Sequence, residues 1–347
     1  MFKLEKLLRT AKEYKASDLF ITTGSKPALR INGDIVLVQG HPELTKEAAE
    51  EYILDLLSEP RKKVLASGED LDFSLDIPEV ASFRVNVFRQ RKGLGGVFRV
   101  IPKDVPKLEE LGLPEHLKRL VDLPHGLVLV TGPTGHGKST TLAALIDEVN
   151  RKYQKHVITI ENPIEYVHKN NKSIIDQREV GEHTPSFGAA LRSALRESPD
   201  VILVGEMRDL ETISLALTAA ETGHLVFGTL HTSGAAKTIS RIIDVFPAQQ
   251  QNQIRTQLAE ILQAVIWQRL VKTADNKAMI PAAEIMFQNH AIANLIRKGA
   301  THQIDTTIET SRQEGMQTMK RSLLELASSG KISKEEAMRF LPLEFEE

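Results

Sequence analysis

The segment from Leu127 to Ala144 limits the possible folds of this chain more than any other. It reads LVLVTGPTGHGKSTTLAA. Residues 127–131 are mostly branched and apolar, which predicts a short buried strand. Glycines then interrupt the pattern, and good helix formers resume after them. The segment therefore predicts a strand, a tight loop and a helix in direct succession.

The loop carries the phosphate-binding pattern G-x-x-x-x-G-K-[ST], the P-loop. Its glycines let backbone N–H groups face a phosphate, and the helix that begins there adds the positive end of its dipole. In this motif Lys138 contacts the β- and γ-phosphates and the hydroxyl of Ser139 binds Mg²⁺. We expect the side chain of His136 to point away from the nucleotide. The predicted nucleotide-binding residues are Gly132, Pro133, Thr134, Gly135, His136, Gly137, Lys138, Ser139 and Thr140.

Composition excludes several other classes of chemistry. The 347 residues suggest about two domains, and the net charge of -2 is unlike that of a typical nucleic-acid-binding protein. There is no cysteine, which excludes disulfides, thiolate zinc sites and thiol nucleophiles. The first 16 residues carry charges throughout, unlike a signal peptide, and no apolar run approaches the roughly 18 residues of a membrane span. We expect a soluble, intracellular protein.

Residues 1–103 predict a small α+β domain built on an antiparallel sheet. Asn32-Gly33, between two apolar runs, is a strong signal for a hairpin. Prolines at 102, 106 and 114 indicate an interdomain linker over 104–114. The predicted elements are a helix ending near Lys15, strands at 18–22, 28–31 and 34–39, a helix at 45–57, a short helical piece beyond Pro60, and strands at 70–76, 82–89 and 95–101.

From Gly126 onward strands alternate with helices, which is typical of a parallel sheet with crossover helices. We therefore predict an α/β domain over 115–347 with a helical C-terminal part. Beyond the P-loop we predict strands at 156–160, 173–176, 200–205 and 224–229, and helices at 184–197 with Thr184 as the cap, 210–222, 249–270, 291–297, 316–328 and 334–340.

Carboxylates follow two of these predicted strands. DVILVGE at 200–206 fits the Walker B pattern, in which the last acid acts through Mg²⁺ or water. Glu206 is the candidate for this acid, and the alternative is that its carboxylate caps the following helix. Glu161 and Glu165 follow the strand at 156–160, at the edge of the sheet where open α/β folds bind ligands. Spacing alone leaves open whether one of them activates water or both are simply solvated.

Two histidines, His224 and His231, frame the predicted strand at 224–229. Neutral imidazole both donates and accepts hydrogen bonds near pH 7, so such residues can sense a phosphate or orient water. A structural role is the alternative. A metal site is less favoured, because no further ligands stand at suitable spacing.

Together these segments resemble the secretion ATPases, and among them the type IV pilus retraction ATPases of the PilT/PilU type. The resemblance covers essentially the whole chain. It implies a small PAS-like α+β N-terminal domain, followed by a RecA-like P-loop ATPase domain. The segments that carry it are SDLFITTGSKPALRINGDI, SFRVNVFRQRKGLGGVFRVIP, GPTGHGKSTTLAALID, TIENPIEYVH, QREVG, SPDVILVGEMRDLET, AETGHLVFGTLHT and AIANLIRKG.

The resemblance also assigns roles to individual residues. It makes Glu165 the general base for water and Glu206 the Walker B acid, which binds Mg²⁺ directly or through water alongside Ser139. His224 and His231 form the His box, which faces the nucleotide and the adjacent subunit. Arg84 and Arg99, with Arg89 as a further candidate, resemble arginines that reach the phosphates when the domains close.

The implied function is hydrolysis of ATP with Mg²⁺ by a homohexameric motor that powers type IV pilus retraction. The implied location is cytoplasmic, peripheral to the inner membrane at the pilus base. The implied partners are other copies of the chain, an inner-membrane pilus platform protein and a paralogous retraction ATPase, without nucleic acid. The alternatives are an accessory PilU-like motor and a nucleotide-dependent ring scaffold with weak turnover. A nucleic-acid motor is disfavoured by the charge.

Three positions depart from the pattern of the family. Asn162 replaces an aspartate in E-D-P, which removes a negative charge. In the motif AIRNLIRE, Ala293 replaces an arginine and Lys298 replaces a glutamate. The change at Asn162 bears on metal affinity or turnover, whereas those at Ala293 and Lys298 bear more on the retraction assignment than on the ATPase assignment. Residues 18–20 and 295–299 look more like PilU, which keeps the accessory motor as an alternative.

Overall fold

The computed structural model describes residues 4–31, 34–101 and 104–341. The chain divides into two compact units. The first comprises Met1–Asp104 with Asn162–Val167, and the second comprises Val105–Glu161 with His168–Glu347. A short segment that follows a strand of the second unit is therefore grouped with the first.

The described part of the first unit contains a six-stranded antiparallel sheet in the order β3-β2-β1-β6-β5-β4. Apolar and polar residues alternate along its strands, as in ASFRVNVFRQ. One face packs against the helices through Phe83, Val85 and Phe98, and the other face is polar. The elements are α1 (Glu5–Glu13), β1 (Asp18–Thr22), β2 (Ala28–Ile31), β3 (Asp34–Leu37), α2 (Lys46–Leu54), α3 (Glu59–Ala66), β4 (Leu71–Ile77), β5 (Ala81–Gln90) and β6 (Gly93–Ile101).

The described part of the second unit contains a seven-stranded sheet in the order β13-β12-β7-β11-β10-β8-β9. All neighbours are parallel except the hairpin β12–β13. The strands are β7 (Gly126–Thr131), β8 (His156–Glu161), β9 (Ile174–Glu179), β10 (Val201–Val204), β11 (Leu225–Leu230), β12 (Leu262–Lys272) and β13 (Met279–Phe287).

Helices follow most of these strands. They are α4 (Lys138–Lys152), α5 (Phe187–Ala194), α6 (Leu210–Glu221), α7 (Ala235–Asp244), α8 (Ala248–Ile261), α9 (His290–Lys298), α10 (Ile304–Thr310), α11 (Met319–Ser328) and α12 (Lys334–Met338). Every residue of β7, β10 and β11 is buried, as expected for strands covered on both faces. Because the carboxyl ends of parallel strands meet at one edge of the sheet, the loops after β7, β10 and β11 come together there.

The predicted helix at 249–270 is wrong in its second half. Helix α8 ends at Ile261, and the chain continues directly as β12, which pairs with β7. Short buried apolar runs fit either a helix or a strand, and here the open edge of β7 decides for a strand. The partner strand β13 and helix α7 were not predicted.

Other boundaries also differ. The cap of α5 is Ser186, whose hydroxyl accepts the N–H of Ala189, rather than the predicted Thr184. Residues 105–114 of the predicted linker group with the second unit, because Leu108 and Leu113 are buried in its core. The strands on either side of Asn32-Gly33 pair as an antiparallel hairpin, although that dipeptide lies outside the described residues. Among the described residues, no helix combines the length and apolar character needed to cross a membrane.

Candidate active site

The P-loop begins where β7 ends, at the carboxyl edge of the sheet. Gly132 has φ 140° and passes the backbone of β12 so closely that a Cβ would collide with the carbonyl oxygen of Gln268. Gly137 has φ 81° and is the N-cap of α4. Both positions require glycine, the first for a close backbone approach and the second for a left-handed conformation.

The side chain of Lys138 is held inside this loop. Its Nζ donates to the carbonyl oxygens of Gly132 at 3.0 Å and Pro133 at 2.9 Å. Ser139 and Thr140 follow in the first turn of α4, where N–H groups lack intrahelical partners and favour an anion. The predicted nucleotide-binding residues at 132–140 thus lie on the loop that follows β7 and on the first turn of α4.

Gln268, on β12, fixes the P-loop through hydrogen bonds of its side chain, and the sequence analysis missed this residue. Its side chain is almost fully buried, accepts the hydroxyl of Thr141 at 2.8 Å and donates to the carbonyl of His136 at 2.8 Å. The N–H of Leu270 donates to Nδ1 of His136 at 2.9 Å. His136 is therefore a structural link between the loop and β12. Nothing in the sequence pointed to Gln268, because its segment was predicted to be helical.

Glu206 and His231 follow the neighbouring strands β10 and β11 and meet at the same edge. His231 Nε2 lies 3.0 Å from Glu206 Oε1, and His231 Nδ1 lies 3.5 Å from the hydroxyl oxygen of Thr134. Since a carboxylate accepts, Nε2 carries the proton and Nδ1 is the acceptor. The structure thus brings together the P-loop, the predicted Walker B acid and one histidine of the predicted His box.

The electrostatic surroundings favour a neutral His231. Partial burial lowers its pKa below the usual 6.5, and the charges of Lys138 and Arg208 lower it further, while Glu206 opposes them. At pH 7 the ring is therefore uncharged and can both donate and accept a hydrogen bond. Arg208 is also hydrogen-bonded to Glu206. A cavity of 470 Å³ adjoins these residues, and Arg241 of α7 lines it as well.

His224 lies at the opposite end of β11. The register pairs Leu225 with Gly126 at one end of the strands and Leu230 with Thr131 at the P-loop end. The six residues of β11 lie between the two histidines and separate them by roughly 20 Å. Nδ1 of His224 instead contacts the carbonyl of Ala219 at 2.9 Å. Within one chain only His231 stands beside the P-loop, and a role of His224 toward another subunit stays a prediction.

The carboxylates of Glu161, which ends β8, and of Glu165, which follows it, belong to different units. Glu161 stays with the second unit, where it accepts from the hydroxyl of Thr159 at 2.7 Å and the amide of Gln177 at 3.3 Å. Glu165 is grouped with the first unit, where Arg84 lies 3.5 Å away. Its segment is also tied there by the hydroxyl of Ser74, which donates to the carbonyl of Ile164 at 3.0 Å.

Two of the three predicted arginines of the first unit, Arg84 and Arg99, lie on the polar face of its sheet. Arg84 and Arg99 stand directly opposite each other on β5 and β6 and therefore share that face. Arg84 also pairs with Asp72 at 3.0 Å, and Arg99 pairs with the buried Asp18 at 2.9 Å. Arg89 instead donates two hydrogen bonds to the carbonyl of Leu65, which indicates a structural role.

The residues predicted to bind Mg²⁺ suit that ion chemically. Ser139 and Glu206 offer oxygen atoms, and Mg²⁺ is usually held by one or two side chains together with water and substrate phosphates. Among the described residues there is no cluster of three or more His, Asp or Glu side chains placed to bind a metal. The set therefore fits an ion that arrives with a nucleotide.

Known proteins are similar to this chain over nearly its whole length. Residues 2–339 match the family model described as Type II/IV secretion system protein. A twitching motility protein from Neisseria gonorrhoeae is 48% identical over 97% of this chain and 90% of its own length. A type IV pilus retraction ATPase, PilT, from Pseudomonas aeruginosa is 50% identical over 96% of both chains.

A solved structure of the pilus retraction motor PilT with bound ADP superposes with a TM-score of 0.91. It is 46% identical in sequence and covers 99% of this chain and 98% of its own. The match confirms the predicted fold class, an α+β domain followed by a RecA-like P-loop domain.

Proposed function

Because the chain belongs to the family of type II/IV secretion system proteins, we propose that it is an ATP-hydrolysing motor that powers type IV pilus retraction. The observation that carries the proposal is the meeting of Lys138, Glu206 and His231 at one edge of the sheet. The naming of full-length relatives as a twitching motility protein and a pilus retraction ATPase supports the retraction assignment.

The second unit supplies the groups that bind and orient the substrate. The N–H groups at the start of α4 and the ammonium of Lys138 bind the phosphates. Neutral His231, held by Glu206, offers a hydrogen-bonding nitrogen beside them. Ser139 and Glu206 would hold Mg²⁺, which when bound neutralises charge on the phosphate oxygens.

The first unit supplies the remaining predicted groups. Glu165 is proposed as the general base that takes a proton from the attacking water. Arg84 and Arg99 are proposed to stabilise the charge that develops on the transferred phosphoryl group, a role that arginines fill in related chemistry. We propose residues 1–103 and 115–347 as the two functional domains, and a change in their relative position during turnover as the motor step.

The proposed assembly is a homohexamer that acts on an inner-membrane pilus platform protein, peripheral to that membrane on the cytoplasmic side. A paralogous retraction ATPase is a further proposed partner. An accessory PilU-like role is the second candidate, and it is favoured by residues 18–20 and 295–299, which resemble PilU more than PilT. Ala293 is buried in α9, whereas Lys298 is exposed near its C-terminal end.

The experiment that tests the proposal is steady-state phosphate release by the full chain with Mg-ATP over a series of protein concentrations. We expect turnover that rises cooperatively with concentration and is abolished by Lys138→Ala, because the phosphates lose their cation. Lys169→Ala, an exposed change outside the site, is the control. Tight ATP binding without phosphate release would reject the motor and favour the ring scaffold.

Retraction itself is tested by expressing the chain in a piliated bacterium that lacks its own retraction ATPase. Restored twitching supports the retraction motor. If twitching returns only when a second retraction ATPase is present, the accessory role is selected instead.

A further inference from the structure

The segment that carries His231 is anchored at several points immediately after that residue. The hydroxyls of Thr232 and Thr238 are hydrogen-bonded at 2.7 Å, and the Thr238 hydroxyl donates to the carbonyl of Gly234 at 2.7 Å. The N–H of Ala235, the first residue of α7, donates to Glu284 Oε1 at 2.8 Å. The start of α7 is therefore held from outside its own helix.

Glu284 lies on β13 and is almost completely buried, with 7% of its surface exposed. A buried carboxyl group is costly unless hydrogen bonds satisfy it. Here the N–H groups of Ala235 and Met319, which begin α7 and α11, favour its charged form. Burial and the charge of Asp305 on α10 act in the opposite direction and raise the pKa of Glu284 to about 7. In either protonation state a carboxyl oxygen remains to accept the N–H of Ala235.

The hairpin β12–β13 contacts both loops of the candidate site. Gln268 of β12 holds the P-loop, and Glu284 of β13 holds the segment that follows His231. In the register of the hairpin Glu284 stands opposite Trp267, one residue before Gln268. One pair of strands thus sets the positions of Lys138 and His231, although neither strand contributes a residue predicted to touch ATP.

We propose that Glu284 is a positioning residue for ATP hydrolysis, which holds His231 against Glu206 by fixing the N-terminus of α7. The inference rests on the proposed ATPase function. Glu284 touches no substrate. It acts through Ala235 and the short segment back to His231, so its loss lowers turnover without weakening the contacts that the P-loop makes with phosphate.

The first test compares Glu284→Ala with Glu284→Gln. Gln keeps an oxygen that accepts the N–H of Ala235, whereas Ala removes it. We expect Glu284→Ala to lower kcat roughly tenfold with an unchanged KM for ATP, because misplaced catalytic groups cost up to about 100-fold. Glu284→Gln should retain kcat within about twofold of the wild type, given that the hydrogen bond persists. A kcat unchanged in Glu284→Ala, or equally low in both variants, would overturn the proposal.

Ser322→Ala is the matched control. Its hydroxyl accepts the N–H of Ala283, the neighbour of Glu284 on β13, and is likewise buried, but it belongs to α11. This control removes a buried hydrogen bond that joins the same strand, β13, to α11. We expect a loss of thermal stability with unchanged kcat. A fall in kcat equal to that of Glu284→Ala would mean that β13 acts only through general stability.

A double-mutant cycle with His231→Ala separates positioning from stability. If Glu284 acts through His231, Glu284→Ala has no further effect on kcat in the His231→Ala background. Additive losses would overturn the inference while leaving the ATPase proposal intact. An inactive wild-type protein would instead reject the proposed function. Should Glu284→Ala not fold, Glu284→Asp, with its shorter reach, takes its place in the cycle.

Discussion

The two sheets of this protein hold their functional groups in contrasting ways. In the first unit Arg84 and Arg99 lie on a polar sheet face, where they form ion pairs and remain 36% and 66% exposed. In the second unit the loops of the candidate site are fixed by buried hydrogen bonds from Gln268 and Glu284. Exposed ion pairs contribute little to stability, whereas buried polar groups that lose a partner are costly.

The contrast shows which of these groups are rigidly held. The predicted phosphate-binding loop of the second unit is held by buried hydrogen bonds that are costly to break, so that unit presents a preformed candidate site. Arg84 is held by exposed ion pairs worth about 1 kcal/mol or less, so it can exchange a carboxylate partner for a phosphate at small cost, whereas Arg99 is paired with the buried Asp18. The carboxylate partners of Arg84 are Asp72 and Glu165.

The largest expected effect comes from Arg84→Ala. Turnover should fall by about 10³-fold, since a positively charged group no longer stabilises the transferred phosphoryl group. The free energy of unfolding should change by less than about 1 kcal/mol, because the ion pairs are exposed. Steady-state kinetics and denaturant unfolding measure the two quantities.

Arg89→Ala provides the matched control on the same strand. Its guanidinium donates to the carbonyl of Leu65, so we expect lower stability and nearly normal turnover. If Arg84→Ala destabilises the fold more than Arg89→Ala and spares turnover, the contrast between the two sheets is wrong.

A smaller effect concerns the pH dependence of stability. The folded chain retains the proton of Glu284 up to about pH 7, while the unfolded chain releases it near the ordinary value of 4.5. Between these values the folded state binds more protons, so this contribution to the free energy of unfolding decreases as pH rises. The loss amounts to about 3 kcal/mol over the window. Denaturant unfolding of the wild type and of Glu284→Gln at several pH values isolates this contribution. The same change of the free energy of unfolding with pH in both proteins would contradict the prediction.

The smallest effect is expected from Gln268→Leu, which keeps the approximate shape of the side chain but removes its hydrogen bonds. The hydroxyl of Thr141 and the carbonyl of His136 lose their partner, which should lower the free energy of unfolding by about 2 kcal/mol. The KM for ATP should rise several-fold because the P-loop is less well fixed. Gln253→Ala, on the exposed face of α8, is the control. Destabilisation with an unaltered KM would show that Gln268 does not position the loop.

Local patterns predicted the parts of the fold that depend on neighbours in sequence. The strand at 18–22 and the P-loop were located from their own residues, and the strand at 200–205 was found within one residue at each end. Strand β12 was mistaken for a helix, because a buried apolar run has no period that distinguishes the two. Its identity depends on β7, which lies more than 130 residues earlier in the chain.

In the candidate site, too, residues that depend on local motifs were predicted, and residues that depend on distant contacts were not. Sequence motifs alone selected Lys138, Glu206 and His231, since each stands at a fixed offset from a predicted strand. They also selected His224, which the register of β11 places at the far end of the strand. No motif selected Gln268 or Glu284, whose importance arises only from the loops that they contact.

Local sequence specifies the chemistry of the P-loop, because that motif requires particular residues at particular spacings along the chain. Tertiary structure decided which carboxylate meets which histidine, which unit holds Glu165, and which buried side chains hold the catalytic loops. The physical reason is the range of the interactions. Turns, caps and glycine conformations depend on adjacent residues, whereas a buried hydrogen bond depends on strands brought together from distant parts of the chain.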